Sequence, residues 1–339
     1  MRLDELEEGQ VLSSEVFLVA EASLKVDRRG DNYYNLVLNH EGGKQIDAKV
    51  WSDNIGEDIE AGRGLEVLAR VDEFKGNRQL NIQRYTVLDD DEFDSSLYVQ
   101  TTDVDCDEAF DRMFNWERDE FQNPFLKQII QSFHDNESFA RAFKSSPAAR
   151  YHHHAYEGGL VEHTLEVWKL ADAMCEMYRD KLDREVVLAG AALHDIGKIK
   201  AYRLTAGVSE HTDVGMLLDH IFISASMVSN QWDRLVKPDV PEDRVEDAAR
   251  CKSLLLHLIL SHHGRNEWGS PVLPRTSEAV LLHYADEVSA SMRKCFDALD
   301  GRPAGKSWTD SVYLMDAPRE LFQVDELMDE EEDEDLEED

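Results

Sequence analysis

Histidine and aspartate side chains are concentrated between residues 150 and 290, in a pattern that predicts a metal site. In chain order the candidates are His152, His153, His154, His163, His194, Asp195, His220, His262, His263 and Asp286. Several lie in apolar stretches, such as Leu193-His194-Asp195-Ile196. A charged carboxylate in such a stretch is costly unless it is paired or bound to a cation. Neutral imidazole and carboxylate ligands suit Mn²⁺, Fe²⁺, Co²⁺ or Zn²⁺.

A single histidine is explained as readily by an ordinary hydrogen-bonded role as by metal binding. We take that interpretation for the isolated histidines His40, His134, His211, His257 and His283. For His152 to His154, which precede the Gly158-Gly159 turn, lining a substrate entrance and a structural role remain equally open. We do not take it for His194, because the pair His194-Asp195 followed by Ile196-Gly197-Lys198 is too specific a string for an ordinary hydrogen-bonded histidine.

The elements that must position these residues are helical. From about residue 104 the apolar residues recur with helical spacing, as in Phe125-Leu126 with Ile129-Ile130, and in the leucine-rich stretch from Ser253 to Ser261. Residues 11 to 88 alternate in the manner of strands instead, with Tyr34, Leu36 and Leu38 on one face. Five strands, with a short polar and helical stretch over 52–60 between the third and fourth, follow the order of an OB-fold barrel.

These patterns predict a multidomain α+β protein, with a five-stranded OB-fold barrel followed by an all-α domain. The predicted segments are the barrel (1–88), an acidic helical connector (89–124), the helical domain (125–312) and an acidic disordered tail (313–339). The last fifteen residues carry twelve acids and no base, so they cannot bury enough apolar surface to fold alone.

Composition narrows the class of protein. The chain has 339 residues, 42% of them hydrophobic, and no apolar run reaches the ~20 residues of a membrane span. The acidic start MRLDELEEGQ is not a signal peptide, and the four cysteines form no CxxC pair, so we expect a cytoplasmic protein that does not bind membranes. The net charge of −35 argues against tight nonspecific binding to nucleic acid, although bound dications would offset it locally.

The motifs also resemble a known family. LHDIGK, with EHT upstream and YADE downstream, resembles the signature of HD-superfamily metal-dependent phosphohydrolases. The fuller strings YHHHAYEGGLVEHT, LLDHIFIS, SHHGRNEWGSP and LLHYADE resemble YhaM-type 3′–5′ exoribonucleases, which place an OB domain before the HD domain. The resemblance covers about residues 10 to 312 and lapses in the acidic connector and tail.

The resemblance implies a centre that holds two divalent ions, for which Mn²⁺ is the first choice. One ion would be held by His163, His194, Asp195 and Asp286; the second, bridged by Asp195, by His220 and His262, with His263 a further ligand. A carboxylate is a natural bridge between two cations. Asp195 and Lys198 are the expected catalytic residues. Lys198 lies one turn further on, where it would neutralise a phosphate oxygen, although a solvated lysine is the alternative.

One departure from the family pattern lies just after Asp286. The family has a second acid and a lysine there, whereas this chain has Ser289 and Ser291. The metal ligands are unaffected, but the resemblance does not extend to the family's contacts with substrate at these two positions.

OB barrels bind single strands by stacking bases on aromatic side chains beside cations. The residues that we predict to bind nucleic acid in this way are Tyr33, Lys49, Trp51, Phe74, Lys75 and Arg78. Two alternatives remain: Trp51 and Phe74 close the ends of the barrel, or the barrel docks onto the helical domain or a partner protein.

The leading expectation is a metal-dependent 3′–5′ exoribonuclease that releases nucleoside 5′-monophosphates from single-stranded RNA through a two-metal-activated water. Single-stranded DNA is a further candidate substrate, and a homo-oligomer is open. The alternative is an HD phosphohydrolase acting on a small or cyclic nucleotide, with a regulatory barrel. A catalytically idle binding protein is a third reading, which the complete ligand set disfavours.

Overall fold

Five strands close into a barrel at the N-terminal end of the chain. They are β1 (Val11–Val26), β2 (Asn32–Asn39), β3 (Gln45–Val50), β4 (Gly64–Phe74) and β5 (Asn77–Val87). The order around the barrel is β1-β2-β3-β5-β4, and β1 pairs antiparallel with both β2 and β4. Parallel pairing of β3 with β5 completes the closure. This is the predicted OB-fold topology, which is confirmed.

The two-residue period of the strands sets the barrel interior. Tyr34, Leu36 and Leu38 are buried, and they lie opposite Val50, Ala48 and Ile46 of β3, which are buried as well. Between β3 and β4 the structure has a single 3-10 turn (Ser52–Asn54), shorter than the helical stretch expected over 52–60.

The protein is described here by a computed structural model that covers residues 3, 6–74, 77–89, 93–117, 121–150, 154–205, 207–302 and 306–324. It separates into two units, Met1–Ala290 and Ser291–Asp339. Within the described residues, no helix combines the length and apolar character that spanning a membrane requires.

Nine α-helices follow the barrel among the described residues. They are α1 (Cys106–Phe114), α2 (Pro124–His134), α3 (Glu137–Ser145), α4 (Gly159–Met177), α5 (Arg184–Leu193), α6 (Lys198–Ala201), α7 (Asp213–Gln231), α8 (Val245–Ser261) and α9 (Ser277–Asp300). A hairpin of β6 (Tyr202–Thr205) and β7 (Val208–His211) joins α6 to α7. Side-chain caps fix several helix starts: Asp105 accepts hydrogen bonds from the first turn of α1, and Asp183 from that of α5.

The helical core is built around α5, whose residues from Val186 to Leu193 are all buried. Gly190 allows α8 to approach, because a Cβ at this position would lie 2.5 Å from Leu258 Cδ2. The core also includes Phe110, Met113 and Phe114 of α1. The segment 89–124, which the sequence indicates to be a connector, therefore contributes a helix to the core of the helical domain.

The second unit contains a hairpin where the sequence places the start of a disordered tail. Strand β8 (Val312–Leu314) pairs with β9 (Ala317–Arg319), and Trp308 bridges to Phe322. Because this segment is structured, the proposed disordered tail cannot begin at residue 313. The acidic residues 325–339 lie outside the described residues.

Candidate metal centre

All seven predicted metal ligands converge in the helical domain. Three helices and the ends of two others supply them: His163 lies on α4, His220 on α7 and Asp286 on α9, while His194 and Asp195 follow α5, and His262 and His263 follow α8. His163, His194, Asp195, His220 and His262 are buried, with Asp195 only 2% exposed.

Asp195 is the centre of the cluster. Its Oδ2 lies 3.2 Å from His163 Nε2 and 3.3 Å from His194 Nε2. Its Oδ1 lies 3.4 Å from His220 Nε2 and 3.6 Å from His262 Nε2. Each carboxylate oxygen thus faces two imidazole nitrogens, an arrangement suited to a carboxylate that bridges two cations.

Asp286 completes one side of the cluster. Its Oδ1 lies 3.3 Å from His163 Nε2 and 3.9 Å from His194 Nε2. On the other side, His263 offers a ligand nitrogen together with His220 and His262, all within 4.8 Å of one another. His194, His262 and Asp286 also lie within 4.8 Å of one another by their ligand atoms, so the two predicted ligand groups adjoin in one cluster.

Hydrogen bonds at Nδ1 orient the imidazoles. A backbone carbonyl only accepts, so the Nδ1 that faces one must carry the proton, and Nε2 is left with its lone pair toward the cluster. The acceptors are Ala191 O for His194 at 2.8 Å, Ile259 O for His262 at 2.7 Å and Trp268 O for His263 at 2.6 Å.

The donor set fits divalent cations. Asp195 Oδ1, His220 Nε2 and His262 Nε2 are buried and have no hydrogen-bond partner within the described part of the chain. Buried polar atoms of this kind are costly unless something satisfies them. A cation among three lone-pair donors would do so, and the mixture of imidazole and carboxylate suits a borderline or hard dication.

Electrostatics keep His220, His262 and Asp195 in the forms that bind metals. Burial lowers the pKa of His220, and lowers that of His262 well below its usual range, so both imidazoles are neutral at neutral pH. Burial would raise the pKa of Asp195, but the Lys198 ammonium together with His194 and His163 outweighs burial and holds that pKa well below the usual range.

Lys198 lies where the sequence predicts, at the start of α6. Its Nζ is 2.5 Å from Asp195 Oδ2, and its side chain is largely buried. The proximity to Asp195 more than offsets burial and raises the pKa of Lys198, so the side chain stays charged. The alternative of a solvated lysine does not match this position.

Two motif glycines let the ligand helices meet. A Cβ on Gly197 of the HDIGK string would lie 2.3 Å from His220 O, so only glycine allows α6 to approach α7 here. Gly264, which follows His263, has φ +74°, and a Cβ there would lie 2.4 Å from the His283 ring. His283 in turn hydrogen-bonds His262 O at 2.8 Å, which is a supporting role.

Asp219 is a residue of this site that the sequence pattern missed. It has φ 61° and ψ 151° inside α7, so the helix is kinked immediately before His220. Its Oδ1 accepts a hydrogen bond of 2.6 Å from His220 Nδ1, which lowers the pKa of Asp219 well below its usual range. The acid directly before the histidine in LLDHIF is the signal that could have identified it.

His154 has a structural position and does not line an entrance. It is fully buried, with Nε2 3.4 Å from Glu166 and Nδ1 3.8 Å from Glu162. His152 and His153 lie outside the described residues.

Four of the predicted nucleic-acid contacts meet on the outside of the barrel. The Tyr33 and Trp51 rings lie 5.1 Å apart, and Lys49 Nζ lies 5.6 Å from the Trp51 ring and 5.0 Å from the Phe74 ring. Trp51 is 38% and Phe74 53% exposed, so neither closes an end of the barrel. Arg78 is exposed on β5, and Lys75 lies outside the described residues.

Comparisons with known proteins match both halves of the chain. The HD domain family model matches residues 160–291. The 3′-5′ exoribonuclease YhaM of Bacillus licheniformis is 29% identical over 307 residues, covering 89% of this chain and 92% of that protein. The YhaM of Bacillus velezensis is 30% identical over 304 residues, covering 88% and 91%. The second OB-fold domain of replication protein A from Methanococcus maripaludis is 14% identical over 26% of this chain and 94% of that one, with a TM-score of 0.22 too low to support an argument.

Proposed function

The chain belongs to the YhaM family of 3′–5′ exoribonucleases, and from this premise we propose that it removes nucleotides from the 3′ end of single-stranded RNA and releases nucleoside 5′-monophosphates. The family makes it a hydrolase, and its HD domain implies dependence on divalent metal ions. The observation that supports this function best is the buried Asp195 carboxylate, which faces two histidine nitrogens at each oxygen.

The residues that would hold two ions are those of the cluster. His163, His194 and Asp286 surround one side of Asp195, and His220, His262 and His263 the other. When bound, a pair of divalent ions supplies an activated water and neutralises charge on a phosphodiester. Mn²⁺ is our first choice, with Fe²⁺, Co²⁺ and Zn²⁺ as alternatives.

The chain's own residues then position the substrate. Lys198 holds a positive charge beside the ligand carboxylate, where it would neutralise a non-bridging phosphate oxygen. The Tyr33 and Trp51 rings offer a surface on which bases would stack, and Lys49 adds a cation beside them.

A second candidate function remains because of the charge of the molecule. A net charge of −35 repels a polyanion more than a small nucleotide, which favours a phosphohydrolase of small or cyclic nucleotides. The exposed aromatic surface of the barrel favours the longer substrate, because a small nucleotide would have no use for it.

One assay distinguishes the exoribonuclease from the phosphohydrolase of small nucleotides. We would incubate the full chain with single-stranded RNA and DNA labelled at the 3′ or the 5′ end, and in parallel with mononucleotides and cyclic dinucleotides, over a panel of divalent ions. We expect stepwise shortening from the 3′ end of RNA, loss of activity with EDTA, and recovery with Mn²⁺. Hydrolysis of only the small nucleotides would overturn the exoribonuclease proposal. The cytoplasmic location and a homo-oligomeric state stay predictions.

A further inference from the structure

Helices α4 and α9 each present two polar side chains three residues apart, so both members of each pair lie on one face of their helix. On α4 the pair is His163 and Glu166, and on α9 it is Asp286 and Ser289. The first members meet at 3.3 Å between His163 Nε2 and Asp286 Oδ1. The second members meet at 2.7 Å between Ser289 Oγ and Glu166 Oε2. The two pairs therefore form two layers, with the ligands inside and the other pair behind them.

The two layers meet where His163 Nδ1 lies 3.2 Å from Ser289 Oγ. The directions of these hydrogen bonds follow from chemistry. An ionised carboxylate only accepts, so Ser289 Oγ–H donates to Glu166. The oxygen of Ser289 is then left to accept, and His163 Nδ1–H donates to it. The neutral imidazole of His163, the form that binds a metal, consequently carries its proton on Nδ1 and presents the lone pair of Nε2 to the cluster.

Glu166 is itself held in place. His154 is fully buried beside it, with Nε2 at 3.4 Å, and Ser289 is 3% exposed. His154 is backed by Glu162, whose carboxylate also accepts hydrogen bonds from Thr102 at 2.6 Å and Tyr156 at 2.8 Å. A buried histidine between two carboxylates fixes Glu166 more firmly than solvent contact would.

We propose that Ser289 and Glu166 are positioning residues for the metal ligand His163, fixing its tautomer and ring orientation so that Nε2 binds the cation. In the other ligand histidines, Nδ1 donates to a backbone carbonyl or, in His220, to the adjacent Asp219. In His163, Nδ1 donates instead to a side chain from another helix. The inference rests on the metal centre of the proposed function but not on its substrate. Outer partners of this kind typically change metal affinity by ~10–100-fold when they are removed.

The test measures metal binding without RNA. The full chain is stripped of metal and titrated with Mn²⁺ and with Co²⁺, whose visible absorption reports ligand geometry. Ser289→Ala is expected to weaken binding at one of the two sites by ~10–100-fold and to alter the Co²⁺ spectrum. Ser289→Thr keeps a hydroxyl, so its metal affinity and its Co²⁺ spectrum should be those of the wild type. Glu166→Gln keeps an acceptor but loses the charge, so its metal affinity should lie between those of Ser289→Ala and Ser289→Thr.

The matched control is Ser132→Ala, which removes a half-buried helix hydroxyl that hydrogen-bonds Ile129 O outside the site. It should leave both titrations unchanged. Thermal unfolding of the metal-free proteins shows whether each variant is folded, and ¹⁵N spectra of labelled histidines report the His163 tautomer directly. An unchanged affinity and spectrum in folded Ser289→Ala, or a wild-type chain that binds neither ion, would overturn the inference. If metal binding weakens as expected but RNA is not hydrolysed, the inference stands and the proposed function fails.

Discussion

At the scale of single residues, the sequence predicts which histidines and aspartates come together in the cluster. Their chemistry restricts them: a histidine or aspartate inside an apolar helix needs a partner, and the motif strings identify which ones share a site. Asp219 and Glu166 escaped prediction, and the role of His154 stayed open, because their partners are fixed by the kink in α7 and by the packing of α4 against α9. Neither feature has a pattern in the sequence.

Replacing Asp195 tests the centre of the cluster. Asp195→Ala removes the carboxylate that faces four histidine nitrogens, so RNA hydrolysis should fall by at least ~10²–10³-fold. The measurement is the rate of 3′ shortening, with circular dichroism to check folding. Asp172→Ala, which breaks an ion pair with Arg184 away from the site, is the control. Turnover like that of wild type in Asp195→Ala would refute the two-metal arrangement.

Two cysteines should be inert in the native protein. Burial raises the pKa of Cys175 to about 11 and that of Cys251 to about 12, so neither forms a thiolate near neutral pH. We expect iodoacetamide at about pH 8 to modify the partly exposed Cys295 and to spare these two, as read by mass spectrometry. Since only a pH close to their pKa values would ionise them, Cys251 should stay protected at about pH 10. The same chain in urea is the control, and rapid native labelling of Cys251 would contradict its burial.

At the scale of elements, periodicity predicts the barrel and the helices, but it does not predict how segments pack. The alternation in β2 and β3 gives the buried and exposed faces correctly. The connector looks acidic and polar in sequence, yet α1 places Phe110 and Phe114 in the helical core. The hairpin of β8 and β9 was missed because three-residue strands are too short to show a period.

The outer face of the barrel is the element that should bind the strand. Trp51→Ala removes one ring of the pair with Tyr33 and should weaken single-strand binding by ~1–3 kcal/mol. Fluorescence anisotropy of a labelled oligonucleotide, measured with EDTA to stop hydrolysis, gives the affinity. Val11→Ala, an exposed apolar residue elsewhere on β1, serves as the control. Equal affinities for wild type and Trp51→Ala would assign this face to another role, such as docking.

At the scale of the whole molecule, the dominant property is a net charge of −35, to which the fifteen C-terminal residues contribute twelve acids. A segment of such density mimics a polyanion and would compete with RNA for the metal-bearing surface. A tail that serves only solubility is the simpler alternative. The sequence gives the number of charges directly. It does not give the surface on which the tail acts, and residues 325–339 lie outside the described structure.

Removing residues 325–339 distinguishes these roles. If the tail competes, truncation should raise single-strand affinity at low salt, and the gain should fade as the Debye length shrinks to ~8 Å near physiological salt. A variant of full length with the twelve acids changed to their amides should behave like the truncation, which separates charge from length. Equal affinities of the truncated and full-length chains at low salt would leave solubility as the role of the tail.

The position of the barrel ahead of the metal ligands has a consequence for how the protein is made. The last barrel strand ends at Val87, whereas the ligands run from His163 to Asp286. Domains generally fold as units during synthesis, the N-terminal one first. On the proposed function, a nascent chain would acquire its grip on RNA well before its ability to cut, and cleavage would begin only after α9 has left the ribosome. The message under translation would thus be shielded from the nascent copy of the enzyme until α9 has been made.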